Sequence, residues 1–186
     1  MRIIAGEFRG RALTPVGKGD AGAHLRPTTD RVRESLFNVL AHQIDFDGLR
    51  VLDLFAGTGA LGLEALSRGA AHVTFVDDGR VAQGLIRKNI DLTRSAGRTD
   101  LIRRDATRLG ENPGAPYDLI FLDPPYGKAM GQKAIDALAN GWIADDALLV
   151  WEENSRMQAP AGFTVHDSRK YGDTYISLMR NGDQSA

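Results

Sequence analysis

From residue 49 onward, short apolar segments alternate with longer amphipathic segments. Segments that are apolar almost throughout are typical of parallel strands, because both faces of such strands are buried. The amphipathic segments repeat apolar residues at helical spacing. This alternation predicts an α/β fold with a mostly parallel, twisted sheet and right-handed crossovers. Strands are predicted over Arg50–Phe55, His72–Asp77, Leu101–Arg104, Tyr117–Asp123 and Ala147–Glu152, and helices near 60–68, 80–94 and 129–140.

The two ends of the chain show different patterns. Phe163–Arg169 and Thr174–Arg180 flank a turn at Tyr171-Gly172-Asp173, which predicts a closing antiparallel hairpin. Residues 2–13 predict a short hairpin, and a helix is expected to follow after a threonine N-cap. We therefore expect residues 1–40 to form a small N-terminal extension and residues 41–186 to form the main domain.

Composition excludes several kinds of chemistry. The 186 residues contain no cysteine, which excludes disulfides, thiolate metal sites and a cysteine nucleophile. The four histidines are scattered, so no metal site is expected. No apolar run approaches the roughly 18 residues that a membrane span needs, and the N-terminus has no signal-peptide pattern. We expect a cytoplasmic protein without a membrane segment, acting as a monomer.

The charge is distributed unevenly along the chain. Through Arg33 there are seven lysines and arginines against three acidic residues, a net charge of +4. Because the whole chain carries −1, the remainder carries −5. A basic arm on an acidic body indicates contact with a polyanion at one end, although a solvated basic face would give the same pattern.

The first predicted strand leads into a glycine-rich loop containing Gly57, Gly59 and Gly62. Small residues at this point allow a cofactor to approach the backbone and the start of the next helix. The spacing also satisfies the dinucleotide pattern, with Asp77 twenty residues after Gly57, so a nicotinamide cofactor is an alternative. Asp53 weighs against that alternative, because its carboxylate would repel a pyrophosphate.

Three acidic residues at strand ends favour S-adenosylmethionine instead. Asp53 suits the ammonium group of an amino-acid tail, and Asp77 suits the two hydroxyls of an unphosphorylated ribose. Asp105, after the third strand, is placed to accept from the adenine amino group. The neighbouring Asp78 leaves the identity of the ribose ligand less certain, and Asp77 is preferred because it directly follows the strand. The predicted cofactor site consists of Asp53, Phe55, Gly57, Gly59, Asp77, Asp105 and Ala106.

The fourth predicted strand ends in Asp123-Pro124-Pro125-Tyr126. The prolines fix the backbone and remove two donors, so the Asp123 carboxylate and the Pro124 carbonyl are both available to one NH2 group. Two acceptors on its hydrogens favour a pyramidal nitrogen and direct the lone pair at an electrophilic methyl group, and Asp123 stabilises the charge that develops. Tyr126 is expected to stack on an extruded base. Asp123, Pro124 and Tyr126 are the predicted catalytic residues.

These motifs resemble those of class I amino-methyltransferases. Asp53-Leu54-Phe55-Ala56-Gly57-Thr58-Gly59 and Asp123-Pro124-Pro125-Tyr126 carry the resemblance. The N-terminal segments Arg2–Gly6, Arg9-Gly10-Arg11 and Arg26–Asn38 are similar to the bacterial RsmD family, which methylates N2 of one guanine in 16S ribosomal RNA on a small-subunit particle. The similarity runs from residue 2 to about residue 155. Gly79 departs from the pattern, because a polar or acidic residue is expected there.

The resemblance implies a Rossmann-like methyltransferase fold, S-adenosylmethionine as cofactor and 16S rRNA within the small ribosomal subunit as partner. It also implies that the arginine-rich arm faces the RNA, with phosphate contacts from Arg9, Arg11, Arg26, Arg31 and Arg33. The residues themselves do not choose among guanine N2, other base amines and a glutamine amide. DNA or protein-amide methylation and a non-catalytic RNA-binding module therefore remain alternatives.

Overall fold

The computed structural model describes residues 1–17, residue 25 and residues 27–182. No helix in these ranges is long and apolar enough to cross a membrane. The helices are α1 (Asp30–Leu40), α2 (Ala60–Ser67), α3 (Arg80–Thr93) and α4 (Met130–Leu138). The strands are β1 (Arg50–Leu54), β2 (His72–Val76), β3 (Thr99–Ile102), β4 (Tyr117–Leu122), β5 (Ile143–Glu153), β6 (Phe163–Tyr171) and β7 (Thr174–Asn181).

The seven strands form one sheet in the order β3-β2-β1-β4-β5-β7-β6. The first five strands of this order are parallel, and β7 is antiparallel to both β5 and β6. This confirms the predicted α/β fold with a closing antiparallel hairpin. The strand order reverses between β1 and β4, and such a reversal opens a crevice at the carboxyl ends of the strands.

Two core clusters cover the two faces of the sheet. One contains apolar residues of α1, α2 and α3, and the other contains those of α4. Ile3, Phe8 and Leu13 of the N-terminal segment belong to the first cluster and are buried. The segment is therefore packed on the same face of the sheet as α1 to α3.

Several predicted boundaries were wrong. Strand β5 begins at Ile143 rather than at Ala147, because exposed Asp145 and Asp146 lie in an irregularity of the β4–β5 register that the sequence pattern could not show. Strand β3 ends at Ile102, two residues before the predicted end. The predicted hairpin of residues 2–13 has a single antiparallel bridge, between Arg2 and Ala12, so it contains no extended ladder.

The N-terminal segment is attached to α1 and α2 through a buried carboxylate. Glu64 on α2 accepts from the backbone N–H groups of Ile4 at 2.9 Å and Ala5 at 3.1 Å. The guanidinium of Arg33 lies 3.7 Å from Glu64 and 3.0 Å from Asp30, and it also donates to the Arg2 carbonyl. This polar network joins the N-terminal segment to α1 and α2, in addition to the apolar packing of Ile3, Phe8 and Leu13.

The expectation that Arg33 contacts RNA phosphate is contradicted by this placement. Its side chain is completely buried and paired with two carboxylates. A buried charge that lost these partners would carry a large desolvation cost. Arg33 therefore stabilises the fold of the arm.

Candidate active site

The residues that leave three neighbouring strands converge at one edge of the sheet. Leu54, at the end of β1, is paired with Val76 of β2 and with Leu122 of β4. The next residues, Phe55, Asp77 and Asp123, therefore begin three loops at the same level of the sheet. The sequence separates these residues widely, and only the parallel register brings them together.

The loop between β1 and α2 depends on residues with left-handed backbone conformation. Phe55 leaves the strand with φ 54°, and Gly57 and Gly59 follow with φ 60° and 78°. A non-glycine residue in this region is strained, and such strain concentrates at functional sites. Gly62 has a different role, because a Cβ atom there would lie 2.5 Å from the Phe75 ring. Because Gly62 has no Cβ atom, α2 can pack closely against β2.

A cavity of about 370 Å³ opens at this edge. Cavities of this size are typical of small-molecule sites. It joins most of the predicted cofactor residues with the whole Asp-Pro-Pro-Tyr segment. The predicted residues that line it are Asp53, Phe55, Gly57, Asp77, Asp123, Pro124 and Tyr126.

Asp53 is a buried carboxyl group that faces the cavity. It is 2% exposed, and its Oδ2 accepts from the Gly62 N–H at 3.0 Å. Burial raises the pKa of Asp53 to about 8, the hydrogen bond from Gly62 opposes the rise, and the charge of Asp77 adds to it. A cationic ligand group in the cavity would stabilise the ionised carboxylate and lower this pKa.

Asp77 is fixed by two backbone donors. Its Oδ2 accepts from Gly57 N–H at 3.0 Å and its Oδ1 from Gly79 N–H at 2.8 Å. Burial raises the pKa of Asp77, and these two hydrogen bonds oppose the rise. A carboxylate oxygen accepts more than one hydrogen bond, so both oxygens retain capacity for ligand hydroxyls. Asp78 also lines the cavity, but it is exposed.

Gly79, which departs from the family pattern, is explained by this arrangement. A Cβ atom at position 79 would lie 3.0 Å from Asp77 Oδ1. Such a contact is tighter than ordinary van der Waals packing. Glycine therefore favours the close approach of its own N–H to the Asp77 carboxylate.

Tyr126 is connected to the C-terminal hairpin. Its hydroxyl lies 2.9 Å from Thr174 Oγ1, at the first residue of β7, and 3.4 Å from Glu152 Oε1 on β5. Antiparallel pairing of β5 with β7 brings both partners to the edge of the sheet at which the cavity opens. The last thirty residues carry no recognisable motif, and sequence reasoning missed this contact.

Three predicted cofactor residues do not line the main cavity. Gly59 precedes α2, and a Cβ atom there would lie 3.2 Å from the Phe75 ring. Asp105 lines a neighbouring depression, where its Oδ1 accepts from the N–H and the hydroxyl of Thr107 at 2.8 and 2.7 Å. Ala106 is buried in the core cluster on the α4 face. The two cavities adjoin at Met130, which lines both.

The N-terminal segment contributes to the cavity, which sequence reasoning also missed. Val16, Leu25, Pro27 and Thr28 line it opposite the strand ends. The methyl group of Leu25 lies 3.8 Å from the position of a Cβ atom on Gly57, so it approaches the glycine loop. No sequence signal indicated this contribution, because these residues belong to no motif of the cofactor loop.

The arginines predicted to contact RNA differ in their exposure to solvent. Arg9, Arg11 and Arg31 are exposed, whereas Arg33 is buried as described above. Arg26 lies outside the described residues. The Arg11 guanidinium also donates to the Leu92 carbonyl of α3 at 2.6 Å, which connects the arm to that helix.

The sheet order, the glycine loop after β1 and the carboxylates at the ends of β1, β2 and β4 define a Rossmann-like class I methyltransferase. A family model described as Conserved hypothetical protein 95 matches residues 1–180. Ribosomal RNA small subunit methyltransferase D of Escherichia coli (strain K12) is 40% identical over 188 residues, which cover 99% of this chain and 91% of the relative. The chain belongs to this family, the RsmD family of methyltransferases.

Two further comparisons agree with this assignment. The protein of the same name from Haemophilus influenzae is 35% identical, over 97% of this chain and 94% of the relative. The solved structure of yhhF from Escherichia coli is 38% identical and superposes with a TM-score of 0.84, covering 99% of both chains. The similarity therefore includes the C-terminal hairpin, beyond the motifs that the sequence revealed.

Proposed function

We propose that this protein transfers a methyl group from S-adenosylmethionine to the exocyclic N2 of a specific guanine in 16S rRNA, on the small ribosomal subunit or an assembly intermediate. The observation that supports the proposal is the single cavity that joins Asp53 and Asp77 with the Asp123–Tyr126 segment. The relatives named for methylation of small-subunit rRNA support the choice of substrate. Because small ribosomal subunits are found in the cytoplasm, we propose that the enzyme acts there, as a monomer.

The residues of the cavity fit this cofactor. Asp53 is a buried carboxylate suited to an ammonium group, and Asp77 retains acceptor capacity for two ribose hydroxyls. Gly57 and Phe55 form the loop wall between them. Asp105 is proposed to bound the adenine from the adjoining depression, with Ala106 buried directly after it, and Gly59 is proposed to act by shaping the loop.

When bound, S-adenosylmethionine supplies an electrophilic methyl group and leaves as its demethylated product. The Asp123 carboxylate and the Pro124 carbonyl accept hydrogen bonds from the target NH2 group and hold its lone pair towards the methyl group. Asp123 stabilises the positive charge as the N–C bond forms. The methylated nitrogen is strongly acidic, so its proton leaves to solvent without a tuned general base.

Tyr126 is proposed to stack on the extruded guanine. Stacking of a base on an aromatic ring contributes roughly 1–3 kcal/mol, which offsets part of the cost of unstacking the base. The contribution depends on a fixed ring orientation. The hydrogen bond between the Tyr126 and Thr174 hydroxyls, at 2.9 Å, fixes the phenol end of that ring, which makes Thr174 a positioning residue.

Replacement of Thr174 by valine is expected to lower kcat about 5- to 10-fold and to leave cofactor affinity unchanged, because a 1 Å displacement of a supporting group is enough to reduce catalysis. The measurement is steady-state methyl transfer to small ribosomal subunits. Thr174→Ser is the matched control, since serine retains the hydroxyl, and it should keep most of the activity. Equal losses in both variants would contradict a role for the hydroxyl.

The cofactor is tested by thermal unfolding. A ligand at 100 times its Kd stabilises a protein by about 2.7 kcal/mol, which corresponds to a shift in Tm of about 5–10 °C at this chain length. S-adenosylmethionine and its demethylated product are expected to produce this shift, and NAD is not. Protection by NAD alone would contradict the proposal and favour the dinucleotide alternative.

A further inference from the structure

The exposed side of α3 and residues 7–11 of the N-terminal segment, here called the arm, are strongly basic. We call this surface the α3–arm face. Among the residues that the structure describes, this face has seven lysines and arginines against three carboxylates, a net charge of +4 on a chain whose total is −1. The cations are Arg9, Arg11, Arg80, Arg87, Lys88, Arg94 and Arg98, and the carboxylates are Glu7, Asp78 and Asp91.

The arm and α3 form one continuous surface. Besides the bond from Arg11 to the Leu92 carbonyl, the Thr14 N–H donates to Asn89 Oδ1 at 2.7 Å. Arg98 forms a salt bridge with Glu7 at 2.8 Å. Asn89 also donates to the Thr58 carbonyl at 2.8 Å, which connects α3 to the glycine loop. The basic groups of the arm are therefore held at fixed positions relative to the cavity.

The α3–arm face begins at the mouth of the cavity. Arg80, the first residue of α3, lines the cavity itself. From there the 14 residues of α3 extend about 21 Å along the surface at 1.5 Å per residue. Arg87 and Lys88 lie on the exposed side of the helix, and Arg94 follows its end.

The exposed cations of α3 are not used to hold the fold. The helix packs through its opposite side, where residues such as Ile86 and Ile90 are buried. In the part of the chain that the structure describes, Arg98 is the one cation of this face that forms a salt bridge. A concentration of cations that outnumber their acidic neighbours, continuous with a cavity, is the electrostatic pattern of a polyanion site.

We propose that the α3–arm face binds the phosphate backbone of the RNA whose target base enters the cavity. Arg87 and Lys88 of α3, and Arg94 directly after it, contribute to this binding together with the arginines of the arm. The proposal rests on the proposed function and identifies a larger part of the RNA site. Phosphate contacts fix the register of a nucleic acid without reading its sequence. In this arrangement the α3–arm face holds the RNA strand while the cavity receives the base.

The experiment compares two charge reversals, Lys88→Glu and Lys170→Glu. Both lysines are exposed, and Lys170 lies on β6, the edge strand at the other end of the sheet from β3. Binding to small ribosomal subunits and to protein-free 16S rRNA is measured over a series of salt concentrations, together with kcat at saturating substrate and cofactor affinity.

Lys88→Glu is expected to raise the Kd for both RNA substrates about 10-fold at low salt and to reduce the slope of log K against log salt by about one. Its kcat and cofactor affinity should match those of the wild type, and Lys170→Glu should match the wild type throughout. The double variant Arg87→Glu/Lys88→Glu should enlarge the effect in the same direction.

Equal Kd values for the two lysine variants would overturn the proposal. So would a loss of binding to the assembled subunit without a loss on protein-free rRNA, because the contact would then be with a ribosomal protein. Either result leaves the proposed function in place, provided that the wild-type protein binds and methylates the subunit. Absence of wild-type binding to any rRNA would instead overturn the proposed function.

Discussion

Replacement of Asp123 by alanine is expected to reduce methyl transfer about 100- to 1,000-fold while cofactor affinity changes little. Removal of one preorganised group that stabilises developing charge has effects of this size. Asp123 lines the cavity directly after β4, beside Pro124, whereas the carboxylates proposed to bind the cofactor lie on β1 (Asp53) and directly after β2 (Asp77). The variant should therefore lose catalysis without losing its cofactor site.

The measurement is single-turnover methyl transfer to small ribosomal subunits, with cofactor affinity determined by titration. Asp47→Ala is a suitable control, because Asp47 is an exposed aspartate that precedes β1 and lines neither cavity. Activity of Asp123→Ala within a few-fold of the wild type would show that the acceptor pair is assigned to the wrong residues. A parallel loss of cofactor binding would place Asp123 in the cofactor site instead.

The second large effect concerns Asp53. Asp53→Asn is expected to weaken S-adenosylmethionine binding about 10- to 100-fold, because a charged hydrogen bond of roughly 1.5–3 kcal/mol is lost. The affinity of the wild type should rise as pH increases towards 8, since the ionised carboxyl is the form that binds an ammonium group. The variant should lack this part of the pH dependence.

The same substitution is expected to stabilise the protein without cofactor. The pKa of Asp53 is about 8 in the folded protein, against an ordinary value of 3.8. Between these values the folded state holds a proton that the unfolded state has released. The free energy of unfolding of the wild type therefore falls as pH rises from about 4 to about 8, by at most about 1.4 kcal/mol per pH unit from this group.

Asparagine does not titrate. The difference in free energy of unfolding between the variant and the wild type should therefore grow from about pH 4 to about pH 8 and stay constant above pH 8. Thermal or urea unfolding at several pH values tests this expectation. An advantage that is independent of pH would show that Asp53 is already ionised in the folded protein.

The parallel sheet and most of the cavity could be predicted from the sequence. Parallel strands that are buried on both faces leave apolar runs such as Leu119–Leu122, and their loops must then meet at one edge. That edge is where Asp77 and Asp123 were expected and where they lie. The glycine loop was recognisable because Gly57 and Gly59 adopt backbone conformations that few other residues tolerate.

The remaining features depend on tertiary contacts that periodicity does not encode. The resemblance implied an RNA contact for Arg33, but a sequence motif does not distinguish an exposed arginine from a buried one, and the partner Glu64 lies 31 positions away. Leu25 reaches the cavity from a segment without a cofactor motif. The contact between Tyr126 and Thr174 joins residues 48 positions apart. Such contacts become visible only when the chain is folded.

The measurement that tests the central proposal most directly is nucleoside mass spectrometry after methyl transfer. Purified protein and S-adenosylmethionine would be incubated with small ribosomal subunits from a strain that lacks the modification. Formation of N2-methylguanosine in 16S rRNA is the expected result. Its absence, with intact subunits and demonstrated cofactor binding, or the appearance of a different methylated nucleoside, would contradict the proposed guanine N2 target.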